Sequence, residues 1–306
     1  MANITSVSNK QEFGLGSIAT KLALYTSLLK PRVMSLSIFT SFVGMIIAPG
    51  SLSFTTGLLA ILAISIGSGA SGALNMWYER DTDKLMNRTK DRALPTNQIS
   101  ANGALIYGIT LSIIAVSMLY LVSNLAAAGL LLLTICFYIF VYTIWLKKRT
   151  PQNIVIGGAA GALPPVIGWT IVTGNLSLEA ISFFLIIFFW TPSHFWALSL
   201  YKAEDYRLAK IPMLPVISGV QNTKINILIY SLIMLPVLYL PYHIGFVGNF
   251  FAIFCLPLTI YYNYICFDLY KDEKHKFNIL KAKKVFSYSI IYLFAIFVLF
   301  LVDNFV

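Results

Sequence analysis

Apolar runs of about 17 to 25 residues recur from one end of this chain to the other. Nothing else in the sequence constrains the fold as strongly. A helix needs such a run to cross roughly 30 Å of hydrocarbon. Nine runs fit, at about 33–49, 55–77, 102–121, 125–145, 154–173, 180–200, 226–244, 247–267 and 285–303. They are continuous rather than alternating, which excludes the strands of an outer-membrane barrel. The chain is 58% hydrophobic and only 11% charged. The expected fold class is therefore all-α: a polytopic membrane protein, a bundle of nine transmembrane helices.

The charges set the topology. All 22 Lys and Arg residues fall in alternate connections, beginning with the N-terminal segment, and the opposite side holds none. Cytoplasmic loops carry such an excess, so the N-terminus is expected in the cytoplasm. The net charge of +10 thus reflects topology and does not point to nucleic acid. Residues 1–26 read as a cytoplasmic N-terminal segment without the apolar core of a signal peptide. Residues 27–306 read as one intramembrane domain. Cys136, Cys255 and Cys266 lie in or at the end of apolar runs without metal-like spacing and read as packing residues. Small-residue clusters at 67–73 and 157–162 allow close helix packing, consistent with a bundle around a central cavity.

The densest charge cluster lies where the second run ends. Residues 75–95 hold four acids and five Lys or Arg. Asn75, Glu79 and Asp83 are spaced i, i+4, i+8 and share one helical stripe, with Asp81 on the far side. Carboxylates at a membrane boundary are costly unless neutralised. Carboxylate and amide oxygens are Mg²⁺ ligands, usually alongside water and phosphate oxygens. Arg88 and Arg92 follow, and guanidinium groups match phosphate geometry. Metal ligands and anion clamps in one loop suit a diphosphate.

A second acidic patch, Glu204 and Asp205 with Lys202, ends the sixth run. It lies on the same side of the membrane and could face the first across the bundle. Two such patches could hold Mg²⁺ and share one diphosphate between them. Tyr142 and Lys147 are placed for further anion contact, although the Lys147, Lys148 and Arg149 group also sets topology. His194 lies about two turns before the polar end of the sixth run, close to Pro192. It reads either as a packed core residue or as a cavity group such as a haem-iron ligand. His243 and His275 read as structural or exposed.

The stripe Asn75–Glu79–Asp83 followed by Arg88, Thr89 and Arg92 resembles the first acidic motif of the UbiA-type intramembrane prenyltransferases. The segments 29–33 (LKPRV), 153–169, 193–206, 212–216 (PMLPV) and 286–294, with Asp303, resemble the haem-modifying branch of that family. The likeness covers about residues 27–303. Glu79 stands where Asp is usual and keeps the charge. Met76 replaces an acid of the quinone branch. Lys210 stands where Gly often precedes Ile-Pro-Met, and Leu29 replaces a usual Thr.

The resemblance implies that the domain at 27–306 is an intramembrane prenyltransferase of a bacterial inner membrane, with its site at the cytoplasmic face. It implies farnesyl diphosphate and haem B as substrates and Mg²⁺ as cofactor. The implied reaction joins the farnesyl group to a haem vinyl group with addition of water, giving haem O. The catalytic set would be Asn75, Glu79, Asp83 and Asp205, and the metal ligands those four with Glu204. Arg88, Arg92, Tyr142, Lys147 and Lys202 would bind diphosphate, and His194 would face haem. The lipid bilayer would admit both greasy substrates. A haem A synthase or terminal-oxidase assembly would be a neighbour. Two alternatives are a quinone-precursor prenyltransferase and a cation-coupled transporter. The transporter fits poorly, since its ionisable residues belong near the bilayer midplane.

Overall fold

A computed structural model describes residues 15–272 and 278–306, and among these every regular element is helical. In chain order they are α1 (Leu15–Leu28), α2 (Pro31–Ile46), α3 (Phe54–Asp83), α4 (Ala101–Val122) and α5 (Leu125–Cys136). A π-helix (Phe137–Leu146) continues α5. Then come α6 (Asn153–Ala162), α7 (Pro164–Thr173), α8 (Leu178–Tyr201), α9 (Ala203–Leu208), α10 (Leu214–Ile217), α11 (Gly219–His243), α12 (Asn249–Tyr270) and α13 (Ile279–Asp303).

Eight helical segments among the described residues are long and apolar enough to cross a membrane. They are α3, α4, α5 with its π extension, α6–α7 together, α8, α11, α12 and α13. The remaining apolar run of the sequence forms α2, whose 16 residues span only about 24 Å. Bends at 47–50 cut it short, with Gly50 at φ 143°. The run at about 154–173 divides at Leu163, because Pro164 and Pro165 start a new helix there. Pro192 lies inside α8, which continues through it.

Local chemistry sets the helix starts. The side chains of Ser53, Ser100 and Asn124 accept from backbone N–H groups in the first turns of α3, α4 and α5. Asp303, at the end of α13, accepts from the N–H groups of Gly248 (2.7 Å) and Phe251 (2.8 Å). One helix terminus is thereby pinned by another.

The packing has two main centres. One joins α3, α4, α5 and α7 around Ala63, Leu119 and Leu131. The other joins α8, α11, α12 and α13 around Phe183, Tyr262 and Phe297. α2 and α7 tie them together at a close backbone approach. A Cβ on Gly168 would overlap the Ser41 carbonyl, and one on Gly44 would overlap that of Pro165. Cys136, Cys255 and Cys266 are free, and the last two are buried. His243 is exposed at the end of α11 and stacks on Tyr239; His275 lies outside the described residues.

Candidate active site

The 30 residues of α3 span about 45 Å, more than the roughly 30 Å of a hydrocarbon core. Asn75, Glu79 and Asp83 all lie in its last turns. All three are buried inside the protein, which fulfils the common stripe expected from their spacing. Asp81 points away, exposed and 3.1 Å from Lys84.

Each member of the stripe meets a cation. Asn75 Oδ1 accepts from Lys30 Nζ at 2.8 Å, and its Nδ2 donates to Thr143 Oγ1 at 3.1 Å. Glu79 pairs with Lys147. Asp83 Oδ2 accepts from Arg92 at 2.9 Å. Thr89 closes the turn by donating to the Asp83 carbonyl at 2.9 Å, and Lys148 donates to Thr82 at 2.7 Å. Unpaired carboxylates buried here would be costly, and the cations offset that cost.

The π-helix brings its own side chains into this cluster. Its i→i+5 winding shows in the bond from Lys147 N to the Tyr142 carbonyl (2.9 Å) and from Thr143 Oγ1 to the Tyr138 carbonyl (2.8 Å). The ammonium of Lys147 lies 5.8 Å from the Tyr142 ring centroid, and Tyr142 stacks on Tyr138. Gly157 leaves room for the Tyr142 ring, which a Cβ there would overlap.

Electrostatics distinguishes two lysines. Desolvation, followed by the Arg92 charge, pulls Lys30 down to about 7 despite the opposing pull of Glu79. Burial also pulls on Lys147, but the Glu79 carboxylate outweighs it, and that pKa ends above its ordinary value. Tyr206 of α9 lies within electrostatic range of Lys147 and Tyr142, and Arg88 within range of Tyr142 and Tyr201. Tyr206, next to Asp205 on α9, is thus the second-motif neighbour whose charge bears on the Lys147–Tyr142 end of the first cluster.

The second motif is divided by the structure. Asp205 is buried, whereas Glu204 is exposed and pairs with Arg207. Lys202 is half-buried at the break between α8 and α9. Among the described residues, no three His, Cys, Asp or Glu side chains converge as a metal cluster. The oxygen donors of Asn75, Glu79 and Asp83 on one buried stripe nonetheless suit Mg²⁺, which commonly takes one or two carboxylates plus substrate phosphate.

His194 is buried in α8, about two turns before that helix ends at Tyr201. Its ring stacks on Trp190 and on Phe286, at centroid distances of 4.3 and 4.6 Å. Its Nδ1 lies 2.6 Å from Ser289 Oγ.

Lys30, Tyr138, Thr143, Tyr206 and Ser289 were not singled out from the sequence. Lys30 immediately precedes the Pro31 that starts α2, and it adopts φ 53°. That pairing of a lysine with a helix-starting proline was the available signal. The others depend on winding or on contacts between distant helices.

A helical bundle with a buried Asn/Glu/Asp stripe paired to Lys30, Lys147 and Arg92 at one end suits an intramembrane enzyme of diphosphate chemistry. The UbiA prenyltransferase family profile matches residues 37–290, and the chain belongs to that family. The particular branch follows from close relatives. The chain is 63% identical over 277 residues to the protoheme IX farnesyltransferase of Pelagibacter ubique, covering 90% of this chain and 91% of that one. It is 49% identical over 281 residues to the protoheme IX farnesyltransferase of Agrobacterium fabrum, covering 92% and 89%. Among solved structures, a digeranylgeranylglyceryl phosphate synthase superposes with a TM-score of 0.77 at 17% identity, covering 93% of this chain and 99% of that one. A UbiA homolog from Archaeoglobus fulgidus bound to DMAPP and Mg²⁺ superposes with a TM-score of 0.66 at 19% identity, covering 90% and 99%.

Proposed function

We propose that this chain transfers the farnesyl group of farnesyl diphosphate to a vinyl group of haem B with addition of water, releasing diphosphate and giving haem O. The observation that carries the reading is the buried stripe of Asn75, Glu79 and Asp83, each joined to a cation at one end of the bundle. The identity to protoheme IX farnesyltransferases over nine-tenths of the chain supports the choice of acceptor.

In this reading the diphosphate head enters among Lys30, Arg92, Lys147, Arg88 and Lys202, with the Tyr142 hydroxyl as a further donor. Asn75, Glu79 and Asp83 would hold Mg²⁺ together with Asp205, which is buried in α9; Glu204, exposed, would have to turn inward to join them. The metal would supply positive charge to the departing diphosphate. The farnesyl C1–O bond breaks as the vinyl carbon forms its bond to C1. Water then captures the haem-side cation and loses a proton. The cations neutralise the leaving group where charge develops, and the Tyr138–Tyr142 pair presents aromatic faces beside it. His194 would contact haem.

The lipid bilayer would deliver both apolar substrates. We place the charged end, residues 1–26 and the site at the cytoplasmic face of a bacterial inner membrane, with 27–306 as the prenyltransferase domain in a bundle of nine spans including α2. A haem A synthase or terminal-oxidase assembly would receive the product.

The test gives detergent-purified protein haem B, farnesyl diphosphate, Mg²⁺ and, in a parallel reaction, an aromatic acid acceptor. Extracted products are then read by mass spectrometry. Haem gaining one farnesyl group and one water supports the reading. Unchanged haem with a prenylated aromatic acid would move the chain to a quinone-type activity.

A further inference from the structure

A proton count fixes the tautomer of His194. Ser289 Oγ lies 2.6 Å from His194 Nδ1 and 2.6 Å from the Phe286 carbonyl oxygen. A carbonyl oxygen cannot donate, so the single serine proton lies on the path to Phe286. The serine oxygen then has only a lone pair to offer the imidazole. The proton between the two side chains must therefore sit on Nδ1, which leaves the lone pair of the neutral ring on Nε2.

The surroundings hold this arrangement in place. Trp190 Nε1 donates to the backbone carbonyl of Ser289 at 2.9 Å, fixing that turn of α13 against α8. The same Trp190 stacks on the imidazole with an interplanar angle of 17°, and Phe286 stacks on it at 23°. Ser289 is fully buried, so water does not compete for its hydroxyl. No side chain or backbone group among the described residues forms a hydrogen bond with Nε2. Metal-ligating histidines show the same pattern: one ring N–H is committed to an oxygen, and the other nitrogen is left bare.

We propose that Ser289 is a positioning residue that fixes the proton of His194 on Nδ1 and so presents Nε2 to the iron of the haem substrate. This rests on the reading of His194 as the haem contact. Ser289 touches no substrate and acts only through the imidazole. The oxygen of Phe286 is the second half of the device, because it consumes the serine proton that could otherwise compete for Nδ1.

The test is titration of ferric haem B into the purified full-length chain, followed by visible absorption and electron paramagnetic resonance. The native chain is expected to show a histidine-ligated iron signature that His194→Ala abolishes. Ser289→Ala is expected to weaken haem affinity about tenfold or more and to reduce the ligated fraction. Ser289→Thr, which keeps the hydroxyl, restores both. If Ser289→Ala fails to fold, Ser289→Cys carries the same expectation, being nearly isosteric with a poor acceptor. Native affinity and spectrum in the serine variant, alongside their loss in His194→Ala, would overturn the role of Ser289 alone. An unchanged signature in His194→Ala would overturn haem contact by His194, and with it this inference. Farnesyl transfer assayed on that variant would show separately whether the transferase reading survives.

Discussion

Lys30 Nζ donates to Asn75 Oδ1 at 2.8 Å, joining the start of α2 to the last turns of α3 across 45 residues of sequence. Lys30 is also the lysine whose pKa falls to about 7, chiefly by desolvation and next by the Arg92 charge. The contact therefore places a titrating group at the head of the acidic stripe.

A bound diphosphate favours the ammonium form and raises this pKa. Between pH 7 and the ordinary lysine value near 10.5, the free protein has lost a proton that the complex holds. Binding in that window takes up a proton, and affinity falls as pH rises, by up to about tenfold per unit. Calorimetry of diphosphate binding at pH 8 in buffers of different ionisation enthalpy measures the uptake. Lys30→Arg stays charged throughout, so its uptake should be smaller by close to one proton and its pH profile flatter.

Lys147 behaves differently because Glu79 holds its pKa up, so this pair stays ionised through neutral pH. Lys147→Met leaves a buried carboxylate unpaired. It should cost about 3–5 kcal/mol, seen as a lowered unfolding temperature in detergent. The double variant Glu79→Gln/Lys147→Met should recover most of that stability but not the activity.

Gly157→Ala pushes a methyl group into the Tyr142 ring. Turnover should fall at least tenfold as the ring leaves the Lys147 ammonium, with stability also reduced. Adding Tyr142→Ala removes the overlap, so the double variant should unfold at a higher temperature than Gly157→Ala while remaining poorly active. Thermal unfolding and product formation on the same preparations check both expectations.

Gly44 and Gly168 face backbone carbonyls, not flexible side chains. Alanine at either position forces α2 and α7 apart and should destabilise by about 2 kcal/mol or more. Heat or denaturant unfolding in detergent reads the loss, which should far exceed that from alanine at Gly161, where a Cβ would meet nothing.

The acidic stripe was legible because helical periodicity alone places Asn75, Glu79 and Asp83 together. The membrane-crossing segments were legible because the hydrocarbon thickness fixes their length. Lys30 was read as a topology-setting charge and as part of the LKPRV segment, without a partner, since its reach to Asn75 depends on how α2 meets α3. Tyr138 and Thr143 enter through π winding, which the apolar run at 125–145 does not announce. The Gly44 and Gly168 contacts join segments more than a hundred residues apart, outside the small-residue clusters noticed in the sequence. Glu204 and Asp205 are adjacent in sequence, yet the α9 helix turns one outward and buries the other. Lys210 shows the reverse case. It occupies a position often taken by Gly in the family, and it indeed adopts φ 53°, a left-handed conformation that Gly accepts without strain.

The rate of haem O formation in Asp83→Asn tests the central claim most directly, with Asp81→Asn as its control. The two residues lie two positions apart, but Asp83 is buried against Arg92 whereas Asp81 is exposed. With folding verified and farnesyl diphosphate, haem B and Mg²⁺ in excess, Asp83→Asn should slow product formation by about a hundredfold or more. Asp81→Asn should stay within about twofold of the native rate. A native rate in folded Asp83→Asn would contradict the account, because the stripe would then not be where diphosphate leaves.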